Sequence, residues 1–303
     1  MLVDLKQLET FVHVAELGSF TRASGFLQVA QPALSRQVRA LEVELRQALL
    51  ERNGRGVTLT EAGTRLLAHA RGILQQVDRA RFELEDQRGA ASGRLAIALP
   101  PSVSRTLTTP LVKAFRQRLP QAALRVVEGL STFALEWLAI GRVDCAVVYN
   151  VTPSQAVDLQ PVLDERLFLV SARRGKAAAG TVSKSVTLDK LAETPLVIPS
   201  RPHSIRMLVE TVLANAGRRA TVALEVESIP AILDLVQQGD VHAVLTHNAV
   251  RSSGLEAAFQ MRPIGKPPLT TTLWIATSAQ RPRGPLIEQG SALVRELLLD
   301  LWE

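Results

Sequence analysis

Apolar residues recur every three to four positions through the first sixty residues, and that period predicts three short helices. Leu5, Leu8, Val12 and Ala15 share one face of a first helix that Gly18 would stop. Ser19 is placed to cap a second helix, with Phe20, Ala23 and Leu27 facing inward. After a break at Val29-Ala30-Gln31, Pro32 stands where the first turn of a third helix accepts proline. Leu34, Val38, Leu41 and Leu45 form its inner stripe, and at about 100° per residue the opposite face carries Ser35, Arg36 and Arg39. Leu49–Arg52 and Val57–Leu59 then flank Asn53-Gly54-Arg55-Gly56, a strong hairpin signal. From Thr60 to Arg88 runs one helix, roughly 40 Å long. Its Leu66, Ala70, Ile73, Val77, Ala80 and Leu84 fall at the alternating spacings of a heptad seam. Gly89-Ala-Ala-Ser-Gly93 reads as a linker.

Beyond it the pattern becomes strand–helix alternation. Strand-like runs lie at 94–100, 124–129, 143–149, 167–172, 195–199, 221–226, 241–246 and 271–277. Helical stretches at 105–119, 132–140, 205–216, 230–238 and 285–302 separate several of them. This alternation predicts an α/β domain with a largely parallel sheet. The run from Ile140-Gly141 through Asn150 resembles that from Gln238-Gly239 through Asn248, which suggests two related α/β subdomains side by side.

The 303 residues suit about two domains, and 47% hydrophobic with 21% charged residues describes a globular chain. The net charge of +6 favours an anionic partner without naming it. A single cysteine, Cys145, rules out a disulfide framework and suits a reducing compartment. Asp4, Lys6 and Glu9 interrupt the start where a secretory leader would be apolar, and no apolar run is long enough for a membrane span. The expectation is a cytoplasmic protein with no membrane contact. With few aromatics, a base-stacking surface for single strands is disfavoured.

Catalytic signatures are missing. His13, His69, His203, His242 and His247 have no zinc spacing, and phosphate-binding and nucleophile-elbow loops are absent. His242 and His247, read as lying along one strand, would point to opposite faces. Cys145 falls mid-strand, where a buried inert thiol is expected. No catalytic residue, metal or cofactor is assigned.

Three short helices, a proline opening the third and an arginine-bearing hairpin describe a winged helix-turn-helix. On that reading Gln31, Pro32, Ser35, Arg36 and Arg39 lie at base edges and phosphates of the major groove. Arg52 and Arg55 would reach the backbone or the neighbouring minor groove. The competing reading is an ordinary solvated face, since residues 1–60 carry seven Lys and Arg against six Asp and Glu.

Ala30-Gln31-Pro32-Ala33-Leu34-Ser35-Arg36-Gln37-Val38, followed by Leu59-Thr60-Glu61-Ala62-Gly63, closely resembles the N-terminal signature of LysR-type transcriptional regulators. Glu128-Gly129-Leu130-Ser131 with Glu136-Trp137-Leu138, and Pro199-Ser200-Arg201-Pro202-His203, look like the nitrogen-assimilation-control type within that family. The resemblance implies a transcription regulator rather than an enzyme. It would have a DNA-binding domain at 1–60, a dimerising linker helix at 61–90 and an effector domain at 91–303. The last would consist of two Rossmann-like subdomains, as in a type 2 periplasmic binding protein: subdomain I at about 91–165 and 268–303, subdomain II at about 166–267. Implied partners are double-stranded DNA bearing an interrupted palindrome, a small-molecule effector and further copies of the chain, as dimer and tetramer. Two positions depart from the signature: Arg46 replaces a glycine at the end of the third helix, which would then end differently, and Leu50 replaces a phenylalanine.

In open α/β sheets ligands sit beyond the C-terminal strand ends. Ser102, Val103, Ser131, Thr132, Tyr149, Ser200, Arg201, His203 and Thr246 occupy such positions. The hydroxyls could equally be helix caps, whereas Arg201 near helix N-termini suggests an organic anion. The competing readings are a cytoplasmic small-molecule binding protein and an α/β enzyme, each with a helical oligomerisation domain. The first would ordinarily carry a leader; the second needs an acid–base constellation that the sequence does not display.

Overall fold

The computed structural model describes residues 3–53, 56–85, 93–173, 184–265, 267–281 and 283–302. The chain divides into an N-terminal unit of residues 1–88, which also takes in 140–142, and a C-terminal unit of residues 89–139 and 143–303.

The N-terminal unit opens with α1 (Leu5–Leu17), α2 (Phe20–Leu27) and α3 (Gln31–Leu45). The hairpin of β1 (Leu50–Asn53) and β2 (Gly56–Leu59) follows, then α4 (Glu61–Glu85). Local chemistry sets the breaks. Asp4 and Gln7 form a reciprocal capping box at the start of α1, and Gly18 ends it in the left-handed region. The Ser19 hydroxyl accepts from the Arg22 N–H to open α2. At Arg46 the helix ends as a glycine would end it, with φ 53°, and the Arg46 N–H donates to the Glu42 and Val43 carbonyls. The different ending expected there is thus corrected: chain continuity into the hairpin outweighs the modest steric cost of a left-handed arginine.

Leu8, Phe11 and Val14 of α1, Phe20 and Ala23 of α2, and Leu34, Val38 and Leu41 of α3 build the core with Leu49 and Leu50. The expected inner face of α1 holds at Leu8 and Val12, with Ala15 packed beside them, but Leu5 is exposed and the face extends to Phe11 and Val14, both fully buried. The expected seam of α4 is also divided. Leu67 and Ala70 complete the core with Leu66 packed against it, whereas Ile73 stays exposed and Val77 half-buried. The side chain of Leu84, the Arg88 end of the helix and the linker at 89–92 lie outside the described residues.

The C-terminal unit runs β3 (Gly93–Leu99), α5 (Pro101–Arg118), β4 (Ala122–Glu128), α6 (Ser131–Ala139), β5 (Cys145–Tyr149) and β6 (Val157–Ala172). Then come α7 (Leu188–Glu193), β7 (Leu196–Ile198), α8 (Ser204–Asn215), β8 (Val222–Glu225), α9 (Ile229–Gln238), β9 (Ala243–Thr246) and α10 (His247–Arg251). It closes with β10 (Phe259–Pro263), β11 (Thr270–Ser278) and α11 (Pro285–Trp302). The expected parallel sheet is corrected to a mixed one. Strands run in the order β10-β6-β11-β5-β3-β4 with β9 also on β6, and β7 pairs β8. Among the described strands β3–β4, β3–β5 and β7–β8 pair in parallel, with isolated parallel bridges at Val186–Ile264 and Leu196–His242, whereas β11, β6, β9 and β10 pair antiparallel.

The reason is the long strand β6. Its residues through Arg166 pair with β11, and from Leu167 onward it pairs with β9 and β10. It therefore crosses from one lobe to the other near Glu165. The first lobe is centred on Ile97, Leu107, Leu111, Val147 and Leu298. The second is centred on Leu169, Val209, Leu213, Ile232 and Leu245. The sequence repeat is real at its glycines: Gly141 (φ 77°) and Gly239 (φ 96°) each turn a helix into a buried strand. β9 stops at Thr246, so His247 opens α10 instead of extending a strand with His242.

Candidate functional site

Two regions answer to the sequence expectations. The first is the outer face of α3. Burial of Leu34, Val38 and Leu41 leaves Gln31, Pro32, Arg36 and Arg39 exposed and Ser35 half-buried. Among the described residues no acidic side chain pairs with Arg36 or Arg39, so both guanidiniums are available to an incoming anion. Three contacts fix this helix. Buried Thr10 on α1 donates its hydroxyl to the Gln37 carbonyl oxygen. At the other end Glu42 Oε1 accepts the Leu49 N–H at 2.8 Å and the Leu50 N–H at 3.2 Å. The hairpin is fastened through the Val57 N–H, which donates to the Gly18 carbonyl at 3.0 Å. A Cβ on Gly56 would come within 2.7 Å of that oxygen, so glycine is required there. Arg52 pairs in register with Val57, but its side chain, like all of Arg55, lies outside the described residues.

Gly63, within the second half of the signature, has a packing reason. A Cβ there would stand 2.0 Å from the Leu49 carbonyl oxygen. Thr60 caps α4 by accepting the Gly63 N–H at 2.9 Å while donating to the Ala48 carbonyl at 2.7 Å. Arg71 binds Glu16 at 2.6 Å, tying α4 to α1.

The second region lies where the two lobes meet. Because α5 starts at Pro101, Ser102 sits in its first turn and Val103 is fully buried within the helix. Ser131 accepts the Tyr149 N–H at 2.9 Å, and Thr246 caps α10 through the Ala249 N–H. Thr132 is exposed in the first turn of α6, and Ser200 and His203 are half-buried. Burial holds the His203 imidazole below its usual range, opposed by Glu227. Arg201 is exposed and bound to Glu210 at 2.8 Å, so its charge is already shared. Neighbouring Arg206 is buried, reaching Glu210 at 2.9 Å, Glu225 at 3.0 Å and the Pro199 carbonyl at 2.9 Å.

The most unusual chemistry here joins Tyr149, which the sequence reading selected, to Glu165 and Asn248, which it did not. The Tyr149 hydroxyl donates to Glu165 Oε2 at 2.7 Å. Burial pushes the Glu165 carboxyl above the usual carboxylate range, opposed by the Tyr149 hydrogen bond and by the polar groups of Trp302, Thr246 and the Asn248 backbone nearby. Tyr149 is pushed well above its usual value, first by burial and then by Glu165. Asn248 Nδ2 donates to the Ser102 carbonyl at 3.1 Å, and Thr106 donates its hydroxyl to Asn248 Oδ1 at 3.0 Å. The signal for Glu165 was present: it takes the inward phase of the period-2 series Leu163, Leu167, Leu169. Asn248 gave none, because α10 is a single short turn.

Cys145 is fully buried with its thiol pushed up to about 12 by burial, so it is no nucleophile at neutral pH. No group of three metal-ligating side chains occurs among the described residues. No helix there is long and apolar enough to cross a membrane.

Comparison with known proteins matches both stretches of the chain to one family. Residues 5–64 match the family model of the bacterial regulatory helix-turn-helix protein, lysR family, and residues 88–298 match the LysR substrate binding domain. The chain is 35% identical over 300 residues to the nitrogen assimilation regulatory protein nac of Klebsiella aerogenes, covering 99% of this chain and 95% of that one. The nac protein of Escherichia coli strain K12 is 34% identical over the same coverage. A full-length OxyR variant from Pseudomonas aeruginosa has the same fold, with TM-score 0.70, 22% identity and coverage of 97% and 94%. So does CbnR in complex with its target DNA, with TM-score 0.68, 24% identity and coverage of 97% and 99%. A matched helix-turn-helix, a matched effector domain and relatives that are regulators rather than enzymes lead to one conclusion: this chain belongs to the LysR family of DNA-binding transcription regulators.

Proposed function

We propose that residues 1–60 read an interrupted palindrome in double-stranded DNA, that 61–90 dimerise the chain, and that 91–303 sense a small molecule. The carrying observation is the exposed face of α3, where Arg36 and Arg39 pair with no acidic side chain among the described residues, opposite the buried Leu34, Val38 and Leu41. In this reading Gln31, Pro32, Ser35, Arg36 and Arg39 enter the major groove, and Arg52 and Arg55 hold the backbone or minor groove. Arg36→Ala removes up to one bidentate base contact per half-site, about 1–3 kcal/mol, or roughly five- to 150-fold in affinity. Arg55→Ala weakens binding uniformly across sequences and lowers the salt dependence. Fluorescence anisotropy on operators taken from genome-wide binding sites measures both. Wild-type affinity and specificity in Arg36→Ala would remove the recognition-helix assignment.

The effector would sit between the lobes, with Ser102, Thr132, Ser200 and His203 reaching it. Neither α5, which starts after Pro100, nor α8, which starts after His203, has a side chain bonded to its first N–H groups. These open helix N-termini favour an organic anion. Val103, Ser131, Tyr149 and Thr246 then shape the cleft from behind, and Arg201 acts only at its edge. Calorimetric titration of small organic acids against wild type and Ser102→Ala checks this; equal binding to both chains removes Ser102 from the site. Tetramer assembly and a cytoplasmic location complete the proposal.

A further inference from the structure

The lobes of the C-terminal unit are joined by side chains as well as by crossing strands. Asn248, 2% exposed on α10, bonds both the Ser102 carbonyl and the Thr106 hydroxyl on α5. Arg251, also on α10, donates to the Leu301 carbonyl on α11. Behind this bridge Glu165 lies at the point where β6 leaves β11 for β9. Its carboxyl faces Tyr149 from β5, Trp302 from α11, and Thr246 and Asn248 from the second lobe. Thr271 of β11 stands opposite it in register, fully buried and with its hydroxyl unpartnered. Among the described residues Tyr149 is the titratable group on this face, and none of these neighbours carries a full charge at neutral pH. The pocket thus suits a carboxylic acid better than a carboxylate.

We propose that Glu165 and Asn248 form a proton-coupled latch between the two lobes, closed when Glu165 is protonated. The proposal rests on the effector-cleft reading and adds its regulation. Separation of the lobes would admit water to Glu165 and return its carboxyl toward the ordinary range, where it ionises. Closing therefore takes up a proton. The closed state is fully favoured below the ordinary carboxylate pKa and loses favour as pH rises through the raised value. An effector that binds the closed lobes would bind more weakly at higher pH by the same linkage.

The test needs no effector. Fluorescent labels at Lys113→Cys on α5 and Asn215→Cys on α8 report lobe separation by single-molecule energy transfer in the full chain, diluted into unlabelled protein. Both positions are exposed, and native Cys145 is buried and unreactive. As pH rises from the ordinary carboxylate range through the raised value of Glu165, the closed-to-open ratio of wild type falls by up to about tenfold per pH unit and then levels off. Glu165→Gln holds the ratio constant, and Asn248→Ala shifts it toward open at every pH. Should Glu165→Gln not fold, Tyr149→Phe serves instead. It removes a donor that favours the carboxylate, so the midpoint moves to higher pH. A wild-type ratio independent of pH, or the wild-type response in Glu165→Gln, overturns the latch. An unmoved midpoint in Tyr149→Phe does the same. Failure of any organic acid to bind would instead count against the effector reading alone.

Discussion

Glu42 joins the recognition helix to the hairpin, and its removal should uncouple them. A single oxygen, Oε1, accepts the Leu49 N–H at 2.8 Å and the Leu50 N–H at 3.2 Å. A hydrogen bond to a charged group contributes about 1.5–3 kcal/mol. The second contact is at the long end of the range, so Glu42→Ala should cost about 3 kcal/mol. That is a large share of a domain stability of about 5–15 kcal/mol. Glu42→Gln keeps an oxygen in place for both donors and loses only the charge assistance, about 1 kcal/mol. Native-state hydrogen exchange reads the effect at its source. The Leu49 and Leu50 amides should exchange on the order of a hundredfold faster in Glu42→Ala and less than about tenfold faster in Glu42→Gln. DNA binding by Glu42→Ala should become weaker and less steeply salt-dependent if the hairpin arginines contact phosphate as proposed, because a loosened hairpin would no longer hold them there. Unchanged protection of both amides in the alanine variant would refute the coupling.

Gly63→Ala sets a methyl 2.0 Å from the Leu49 carbonyl oxygen, so it should unfold or displace the hairpin, seen as a lower Tm and lost DNA binding. Cys145, with its thiol near 12, should resist iodoacetamide at pH 8 in native protein and react once urea unfolds the chain. Ile73→Asp with Val77→Asp charges the part of α4 that its own unit leaves uncovered, and light scattering should show loss of the dimer at a cost of several kcal/mol. An unchanged oligomer would exclude α4 as the dimer seam.

The N-terminal unit was largely legible in its residues because its information is local. Ser19 opens α2 by a hydrogen bond three positions away, Gly18 ends α1 by its left-handed backbone, Pro32 suits the first turn of α3 by its fixed φ, and the Leu34/Val38/Leu41 stripe alone fixes which face of α3 stays outside. Period analysis also located most strands of the C-terminal unit, and the repeated glycines at 141 and 239 marked its two related halves. It failed on β10, α7, α10 and the first half of β6, where short length or residues such as Asp158, Pro161 and Asp164 break the apolar pattern. Strand direction was beyond it, since periodicity is the same for parallel and antiparallel partners. Tertiary structure alone decided that β6 serves both lobes, that Leu67 and Ala70 belong to the winged core, and that Arg201 is engaged by Glu210. It also decided the chemistry of Glu165. Its burial depends on Tyr149, Thr246, Asn248 and Trp302, which arrive from three stretches of chain far apart in sequence, and a carboxyl is desolvated only when all of them close around it.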